Sequence, residues 1–397
     1  MTGPPVQFLI FLIVVAAIFR DAFVFTLLYL LAGAFFFGTW WSRRALAGIS
    51  FKRVFEDRAF PGDLIPVRLT VTNGSRLPLP WLRVHDRAPA EIRRVEEFET
   101  VTSLPSRGNA TFDYRLSARA RGLYAVGPLA IGSGDLLGVS DARERGGRAD
   151  RLIVYPRVVP LSRIGLPSRS PMGALRARQP IFEDPTRPFA KREYSAGDPL
   201  RRIDWKATAA AGHLTVKQYE PAIDLEVALF LDLTLRGGRI RARELAAELA
   251  IVTAASVADY TTRHKLAIGL WTNGADPLAE DEQARPVPFH KGRAHFTRLL
   301  EVLARVEVAE ARDFTAFLGR HALALPWGTT AIVIATAADE ALLAEMLRMR
   351  RAGLVPVLLL CGALEGFEDV ARRAAAFGIP THHFEGEGDL RLWGARR

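Results

Sequence analysis

The N-terminal part of the chain holds two long apolar runs, and they constrain its fold more than any other feature. Residues 4–19 and residues 22–41 contain no charged side chain, and Arg20 with Asp21 separates them. One continuous helix over this stretch would be ~55 Å long, which exceeds the ~30 Å hydrocarbon core of a bilayer. The sequence therefore predicts an N-terminal transmembrane helical hairpin over residues 1–44.

The residues at the end of the second run indicate its orientation. Trp40 and Trp41 suit a membrane interface, and Arg43 and Arg44 add positive charge directly after them. Because cytoplasmic flanks of membrane helices are enriched in Lys and Arg, we expect a two-span protein of the cytoplasmic (inner) membrane with both termini cytoplasmic. A cleaved signal peptide is the alternative, but the first residues lack the positive charge that it needs.

The charge balance is basic, with a net charge of +10 from 53 Lys and Arg against 43 Asp and Glu. Residues 157–206 carry eleven basic and five acidic side chains, so much of the surplus lies in one connecting region. This region can face anionic lipid headgroups, an acidic partner or solvent, and we expect no nucleic-acid partner. The single cysteine, Cys361, follows an apolar run and is predicted to be a buried small side chain.

Residues 45–165 show a pattern typical of short β-strands. Apolar and polar residues alternate over residues 64–72, and Asn73 with Gly74 directly after this run is a strong hairpin signal. Similar runs recur at short intervals between turn residues. The spacing predicts a β-sandwich-like domain that serves as a spacer or a binding face.

The second half of the chain alternates predicted strands and helices. Residues 166–224 are predicted to form a linker, rich in Pro, Arg and Ser, followed by a dense charged segment. Over residues 225–397, apolar strands such as 225–233 and 330–336 alternate with helical patterns. Such alternation predicts an α/β doubly wound sheet, in which functional groups lie at the carboxyl ends of the strands.

Residues 191–220 concentrate charged, aromatic and turn-forming side chains. Asp198 and the proline that follows it predict a helix over residues 199–211, with Asp198 as its cap. Gly212 then ends the helix, and the alternation over residues 213–219 predicts a half-buried strand. The predicted unit is therefore a turn, a helix and a strand.

The residue pattern of this unit resembles a known family. The pattern is Arg192-x-Tyr194-x-x-Gly197-Asp198-x-x-Arg201-x-Ile203-x-Trp205, followed by Leu214-x-Val216-Lys217-x-Tyr219-Glu220. It resembles the signature of the family of unknown function DUF58. The resemblance implies a membrane hairpin, a β-rich region and a C-terminal domain similar to the von Willebrand factor type A fold. It implies no established chemistry, and it implies association with MoxR-type AAA+ ATPases and with other von Willebrand type A proteins.

This resemblance also points to a degenerate metal site. Asp232 and Thr234 follow a predicted strand, where von Willebrand type A domains carry an Asp-x-Ser-x-Ser loop, and both offer hard oxygen ligands that suit Mg²⁺. Thr336 and Asp339, after a later strand, are candidates to complete the site. Arg236 replaces the third oxygen ligand, and its charge opposes a cation. We therefore expect no cofactor, and Mg²⁺ is the disfavoured alternative.

Two acidic residues in the signature raise the alternative of catalysis. Asp198, with Asp204 and Lys206, resembles the carboxylate and Asp-x-Lys arrangement of metal-dependent nucleases. All three crowd one short predicted helix, and Asp198 is already explained as a cap. The sequence contains no Gly-rich phosphate loop of the Walker type. We therefore predict that the protein is not an enzyme.

The signature is predicted to form a docking and domain-locking element, because Arg, Trp and Tyr dominate interface hot spots. Trp205 is predicted to be buried on the sheet, whereas Arg201, Arg202 and Lys206 face a partner. The predicted interaction residues are Arg192, Tyr194, Gly197, Asp198, Arg201, Arg202, Trp205, Lys206, Lys217, Tyr219 and Glu220. The sequence thus predicts a membrane-anchored, cytoplasm-facing scaffold. A membrane-tethered metal-dependent hydrolase and a metal-dependent adhesion-type binding domain are the alternatives.

Overall fold

A computed structural model describes most of the chain. The described residues are 7, 10–11, 13–14, 22–93, 98–134, 141–143, 148–161, 183–195, 198–221, 226–234, 240–308 and 312–393, with residues 134, 141–143, 183–189 and 218–221 described by their backbone alone. The chain divides into two compact units. The first holds Met1–Arg157 and Leu303–Arg305, and the second holds Val158–Val302 and Val306–Arg397.

A long apolar helix, α1 (Ala22–Leu46), opens the first unit. It has 25 residues and carries no charged side chain before Arg43, so it is long and apolar enough to cross a membrane. Arg43 and Arg44 lie in its last turn. The helix predicted for the second apolar run is therefore confirmed. The predicted turn at Arg20 and Asp21 lies outside the described residues, and the two-span hairpin stays a prediction.

Ten described strands follow in the first unit. They are β1 (Ile49–Val54), β2 (Arg58–Ala59), β3 (Leu64–Asn73), β4 (Leu79–Asp86), β5 (Phe98–Leu104), β6 (Asn109–Ser117), β7 (Gly122–Val126), β8 (Leu129–Gly134), β9 (Asp141–Arg143) and β10 (Asp150–Val154). They form sheets of order β1-β3-β6, β5-β4-β8-β9 and β2-β10-β7.

The first two of these sheets share one core. Along β3, exposed and buried positions alternate, and Leu69 and Val71 are fully buried. They pack with Leu82 and Val84 of β4 and with Leu129 of β8. Since one inward face comes from each sheet, the two sheets pack face to face as in a β-sandwich, which is the arrangement that the alternation predicts.

The second unit contains a six-stranded sheet of order β15-β14-β13-β16-β17-β18. Its strands are β13 (Glu226–Leu231), β14 (Ala267–Thr272), β15 (Val287–His290), β16 (Thr330–Ala335), β17 (Val355–Cys361) and β18 (Thr381–Phe384). All pairs are parallel except β14 with β15. The chain leaves β13 toward β14 and β15, then crosses to β16 on the other side. The strand order therefore reverses between β13 and β16, where ligand sites of doubly wound sheets occur.

Helices cover both faces of this sheet. They are α3 (Ile240–Arg263), α4 (Arg293–Arg305), α5 (Phe314–Ala322), α6 (Glu340–Arg351), α7 (Phe367–Ala376) and α8 (Glu387–Trp393). A shorter helix, α2 (Trp205–Ala211), comes before them in the chain and belongs to the signature. Residues of α5, α6 and α7 share a core with Phe230 and Leu358 of the sheet. On the other face, Thr253 of α3 contacts Cys361 of β17. The predicted alternation of strands and helices is confirmed.

Candidate functional site

The signature is built on an antiparallel ribbon of β11 (Glu183–Glu193) and β12 (Thr215–Pro221). The connection between the strands stays attached to β12, since Tyr194 N donates to Leu214 O at 2.8 Å and Asp204 N donates to Thr215 O at 2.8 Å. Ile203 also bridges to Val216, and both side chains are buried. The first residue of the connection and its midpoint are therefore both held at the start of β12.

Asp198 closes the first turn of this connection. Its carboxylate accepts from Arg192 Nη1 at 2.7 Å and from Arg192 Nη2 at 2.6 Å, in a two-pronged ion pair. It also accepts from Ser195 N at 2.9 Å. The Arg192 guanidinium and this backbone N–H lower the pKa of Asp198. Both carboxylate oxygens are thus engaged inside the element.

The predicted helix over residues 199–211 is wrong in its first part. A short 3-10 helix, Leu200–Arg202, is followed by Ile203 in an extended conformation. Helix α2 begins only after Asp204, whose carboxylate accepts from Ala207 N at 3.2 Å. Asp204 is the cap in place of Asp198, because the pairing of Ile203 with β12 interrupts the helix. Gly212 ends α2 with φ of 74°, as predicted.

Asp204 is also engaged by a second cation. Lys191 Nζ lies 2.9 Å from Asp204 Oδ2. Lys191 and the Ala207 N–H lower the pKa of Asp204. Among the described side chains, Lys191 and not Arg201 is the cation paired with Asp204. Each of the two signature carboxylates thus has its own cation and its own backbone donor, which is a structural arrangement and not a pair poised for acid–base catalysis.

Two large apolar side chains of the signature are exposed to solvent, and one of them was predicted to be buried. Trp205 is 67% exposed and Leu200 is 68% exposed, and Arg201 and Lys206 are exposed beside them in the chain. The predicted burial of Trp205 is therefore wrong, because Ile203 supplies the buried side chain and Trp205 begins α2 on the outer side. We call Leu200, Arg201, Trp205 and Lys206 the signature surface.

The remaining predicted interaction residues are less exposed or lie outside the described side chains. Tyr194, Arg202 and Lys217 are half-buried. Gly197 lies outside the described residues, and Tyr219 and Glu220 are described only as backbone of β12. Their roles in docking stay predictions.

A hydrogen-bonded cluster occupies the carboxyl end of β13, at the reversal of strand order. Asp232, which is 2% exposed, accepts at Oδ1 from Thr234 N at 2.9 Å and from Asn273 Nδ2 at 2.9 Å. Asn273 Nδ2 also donates to Thr234 Oγ1 at 2.7 Å. Arg312 donates from Nη1 to Asn273 O at 3.1 Å, and Thr234 Oγ1 donates to Arg312 O at 3.2 Å. The structure thus brings Asp232 and Thr234 together in one hydrogen-bonded cluster.

The same cluster does not fit a divalent cation. Asn273 Oδ1 accepts from Leu233 N at 2.8 Å, and this bond fixes the orientation of the amide. The NH₂ group of Asn273 therefore points at both Asp232 and Thr234, between the two oxygen atoms that a cation would bind. Hydrogen-bond donors, not further oxygen ligands, complete the cluster.

The other predicted metal ligands have separate positions. Asp339 is exposed and caps α6, with its carboxylate accepting from Leu342 N at 2.8 Å. Thr336 is half-buried after β16. Arg236, predicted to oppose the cation, lies outside the described residues. Among the described residues, these side chains do not come together as a divalent-cation site.

Sequence reasoning missed Asn273 and Arg312. Asn273 directly follows β14, the strand that pairs with β13. Polar residues at the carboxyl ends of adjacent parallel strands lie at the same edge of the sheet. The place of Asn273 directly after β14 would therefore have indicated its contact with Asp232, had the strand order been known. Arg312 lies in a loop before α5, and nothing in the sequence indicates its contact.

Solved structures offer only remote likenesses. The CARDB domain of a Pyrococcus furiosus protein, in complex with di-metal ions, is 12% identical, with a TM-score of 0.21 over 27% of this chain and 91% of that chain. The C-terminal domain of wzt is 10% identical, with a TM-score of 0.21 over 28% of this chain and 75% of that chain. Such scores carry no argument about function.

Sequence comparisons are more informative. The uncharacterized protein YeaD of Bacillus subtilis (strain 168) is 23% identical over 270 residues, which cover 67% of this chain and 64% of that protein. The chain thus spans less than two thirds of the length of this relative. Residues 190–375 match the model described as protein of unknown function DUF58, and this range includes the signature. The resemblance of the signature to DUF58 is therefore confirmed over residues 190–375.

Proposed function

We propose that the chain is a membrane-anchored, cytoplasm-facing interaction protein that docks a protein partner through the signature surface. The observation that carries this proposal is the 67% exposure of Trp205 beside two exposed cationic side chains. Leu200 and Trp205 together form an exposed apolar patch flanked by cations, as interaction sites do, and Trp and Arg are the residue types that dominate binding hot spots. Helix α1 supplies the anchor.

The charge pattern of the element favours an acidic partner. Asp198 and Asp204 are each held in an ion pair within the element, with Arg192 and Lys191 respectively. Their charges are thus compensated internally, while Arg201 and Lys206 project outward. A partner that presents carboxylates around an apolar pocket would match this surface.

The partner is proposed from the resemblance to the family. Family members associate with MoxR-type AAA+ ATPases and with other von Willebrand type A proteins, and we extend this association to the present chain. The strand order β15-β14-β13-β16-β17-β18, with one antiparallel edge strand, supports a von Willebrand type A-like domain. The direction of the Asn273 amide supports a docking role for this domain over metal-dependent adhesion or hydrolysis.

The role of Trp205 can be tested with a matched pair of variants. Trp205→Ala should weaken capture of a purified MoxR-type ATPase by the full-length chain in nanodiscs by ~30-fold, corresponding to a hot-spot loss of ~2 kcal/mol. Its free energy of unfolding should change by less than ~0.5 kcal/mol, since an exposed side chain is removed. Trp327→Ala is the control, because Trp327 is 64% exposed but lies outside the signature. It should leave capture unchanged.

A second pair of variants tests the charge. Arg201→Glu with Lys206→Glu should reduce capture, whereas Arg285→Glu with Arg351→Glu makes the same charge change at exposed positions outside the signature. Equal capture by parent, Trp205→Ala and the signature charge reversal would refute the docking role. A phosphodiesterase activity that the parent has and the signature reversal lacks would favour the hydrolase alternative.

A further inference from the structure

The last turns of α1 are built into the β-sandwich. Ser42 is 1% exposed and Ala45 is 0% exposed, so this end of the helix is covered by protein. Trp41 Nε1 donates to Pro78 O at 3.0 Å. The end of the apolar helix is therefore packed against the adjacent loops of the sandwich within the first unit.

The loop between β3 and β4 lies beside these turns. Gly74 N donates to Gly48 O at 2.9 Å, and four residues later Pro78 accepts from Trp41. Asn73, which is 0% exposed, holds the loop by donating to one of its carbonyl groups at 2.9 Å. From Gly48 back to Trp41 is about 10 Å along a helix axis, so the loop runs toward the apolar part of α1.

This loop and a neighbouring turn place arginines around the end of the helix. Arg107, in the turn between β5 and β6, donates from its backbone N to Ser75 O at 3.1 Å, so it lies next to Arg76. Its φ of 55° lies in the left-handed region, which is unusual for a residue with a side chain. Arg76 and Arg107 are both exposed, as are Arg43 and Arg44 in the last turn of α1. Within the described part of the chain, no acidic side chain pairs with any of these four guanidinium groups.

We propose that Arg43, Arg44, Arg76 and Arg107 form a basic collar that binds anionic phospholipid headgroups of the leaflet in which α1 ends. The inference rests on the membrane anchoring that is part of the proposed function. Guanidinium groups bind phosphate in two-pronged fashion, and basic side chains next to a span are attracted to an anionic leaflet. Trp40, which is 53% exposed in α1, lies where an interfacial aromatic residue is expected. The collar thus adds sandwich loops to the membrane contact.

The test measures hydrogen exchange of the full-length chain in nanodiscs of phosphatidylcholine, with or without phosphatidylglycerol. Phosphatidylglycerol should slow exchange in residues 73–79 and 105–109 by about threefold or more, and ~0.5 M salt should reverse the effect because it screens the charges. Arg76→Gln with Arg107→Gln should remove the difference between the lipids. Arg115→Gln is the control, because Arg115 is exposed on β6 about 20 Å from its Asn109 end, at ~3.4 Å per residue.

The outcomes separate the collar from the anchor. Incorporation into nanodiscs without any dependence on phosphatidylglycerol would overturn the collar and leave the anchor intact. Failure to incorporate would overturn both. If inorganic phosphate slows hydrogen exchange of these residues in phosphatidylcholine nanodiscs, the site binds free anions and the lipid assignment is overturned. If Arg115→Gln loses the phosphatidylglycerol effect to the same extent as Arg76→Gln with Arg107→Gln, the effect is one of general charge and the collar is overturned.

Discussion

Replacing Arg53 by Met should destabilise the β-sandwich strongly. Arg53 lies on β1 with its side chain 0% exposed, and Asp86, its partner, is 1% exposed. The guanidinium donates to both carboxylate oxygens of Asp86, to Val126 O at 3.1 Å and to Asp150. Tyr114 donates its hydroxyl to the same Asp86 carboxylate, and burial and this negative charge raise the pKa of Tyr114, so it remains a donor. Asp86 is thus a buried charge whose compensation depends on Arg53.

The size of the effect follows from this burial. Breaking a buried ion pair from one side costs ~3–5 kcal/mol, because the other charge stays buried and uncompensated. At 1.36 kcal/mol per tenfold change, exchange of the central β3 amides should accelerate about 150- to 5,000-fold under native conditions. Arg53→Met with Asp86→Leu should restore part of the loss, since no buried carboxylate then lacks its cation.

Hydrogen exchange of the full-length protein is the assay, because it reports on the sandwich separately from the second unit. Arg68→Met is the control, since Arg68 on β3 pairs with Asp113 at 2.8 Å while both side chains are more than half exposed. Solvent screens such a pair, so the control should change exchange little. If Arg53→Met behaves like Arg68→Met, the buried pair does not stabilise the sandwich and the reasoning is refuted.

Two further predictions concern the second unit. Asn273→Asp should replace the amide donors with oxygen ligands that bind Mg²⁺. In thermal unfolding, Mg²⁺ at ~100 times its dissociation constant should then stabilise the variant by ~2.7 kcal/mol, and equal stabilisation of the parent would contradict this prediction. His295 is 6% exposed with Nε2 2.8 Å from Ile268 O, and burial lowers its pKa, so the folded state binds its proton less readily than the unfolded state. The free energy of unfolding should therefore fall as the pH drops through ~6.5, and His295→Gln should lessen this fall in urea titrations at several pH values.

The layers of the second unit could be predicted from the sequence because its central strands are buried on both faces. Residues 227–231 of β13 and 330–335 of β16 are buried without interruption, and residues 227–231 and 331–335 appear in the sequence as continuous apolar runs. Such runs, alternating with helical patterns, are typical of parallel sheets. Local sequence and tertiary position agree here, so pattern reasoning succeeds.

The signature could not be predicted to the same depth, because a long-range contact determines its local structure. Asp198 and Asp204 both have the chemistry of a helix cap, and the following proline favoured Asp198. The choice depends on Ile203, which takes an extended conformation to bridge to Val216. Since this partner lies beyond the helix, no local pattern reveals it. The exposure of Trp205 follows from the same contact.

The strand-end cluster shows a related limit. Asp232 and Thr234 are close in sequence, and their proximity could be predicted. Asn273 and Arg312 join them only because β14 lies beside β13 and the loop before α5 returns to the same edge. The character of the cluster therefore depends on residues that the sequence alone does not connect.

The burial of Ser42 and Ala45 has a mechanical consequence for the first unit. Helix α1 is a rod about 37 Å long at 1.5 Å per residue, and its final turns are clamped in the sandwich, so it cannot roll about its axis independently. Long spans accommodate a thinner bilayer by increasing their tilt. Any such tilt must turn the attached sandwich by the same angle, so the thickness of the bilayer would set the orientation of the sandwich relative to the membrane.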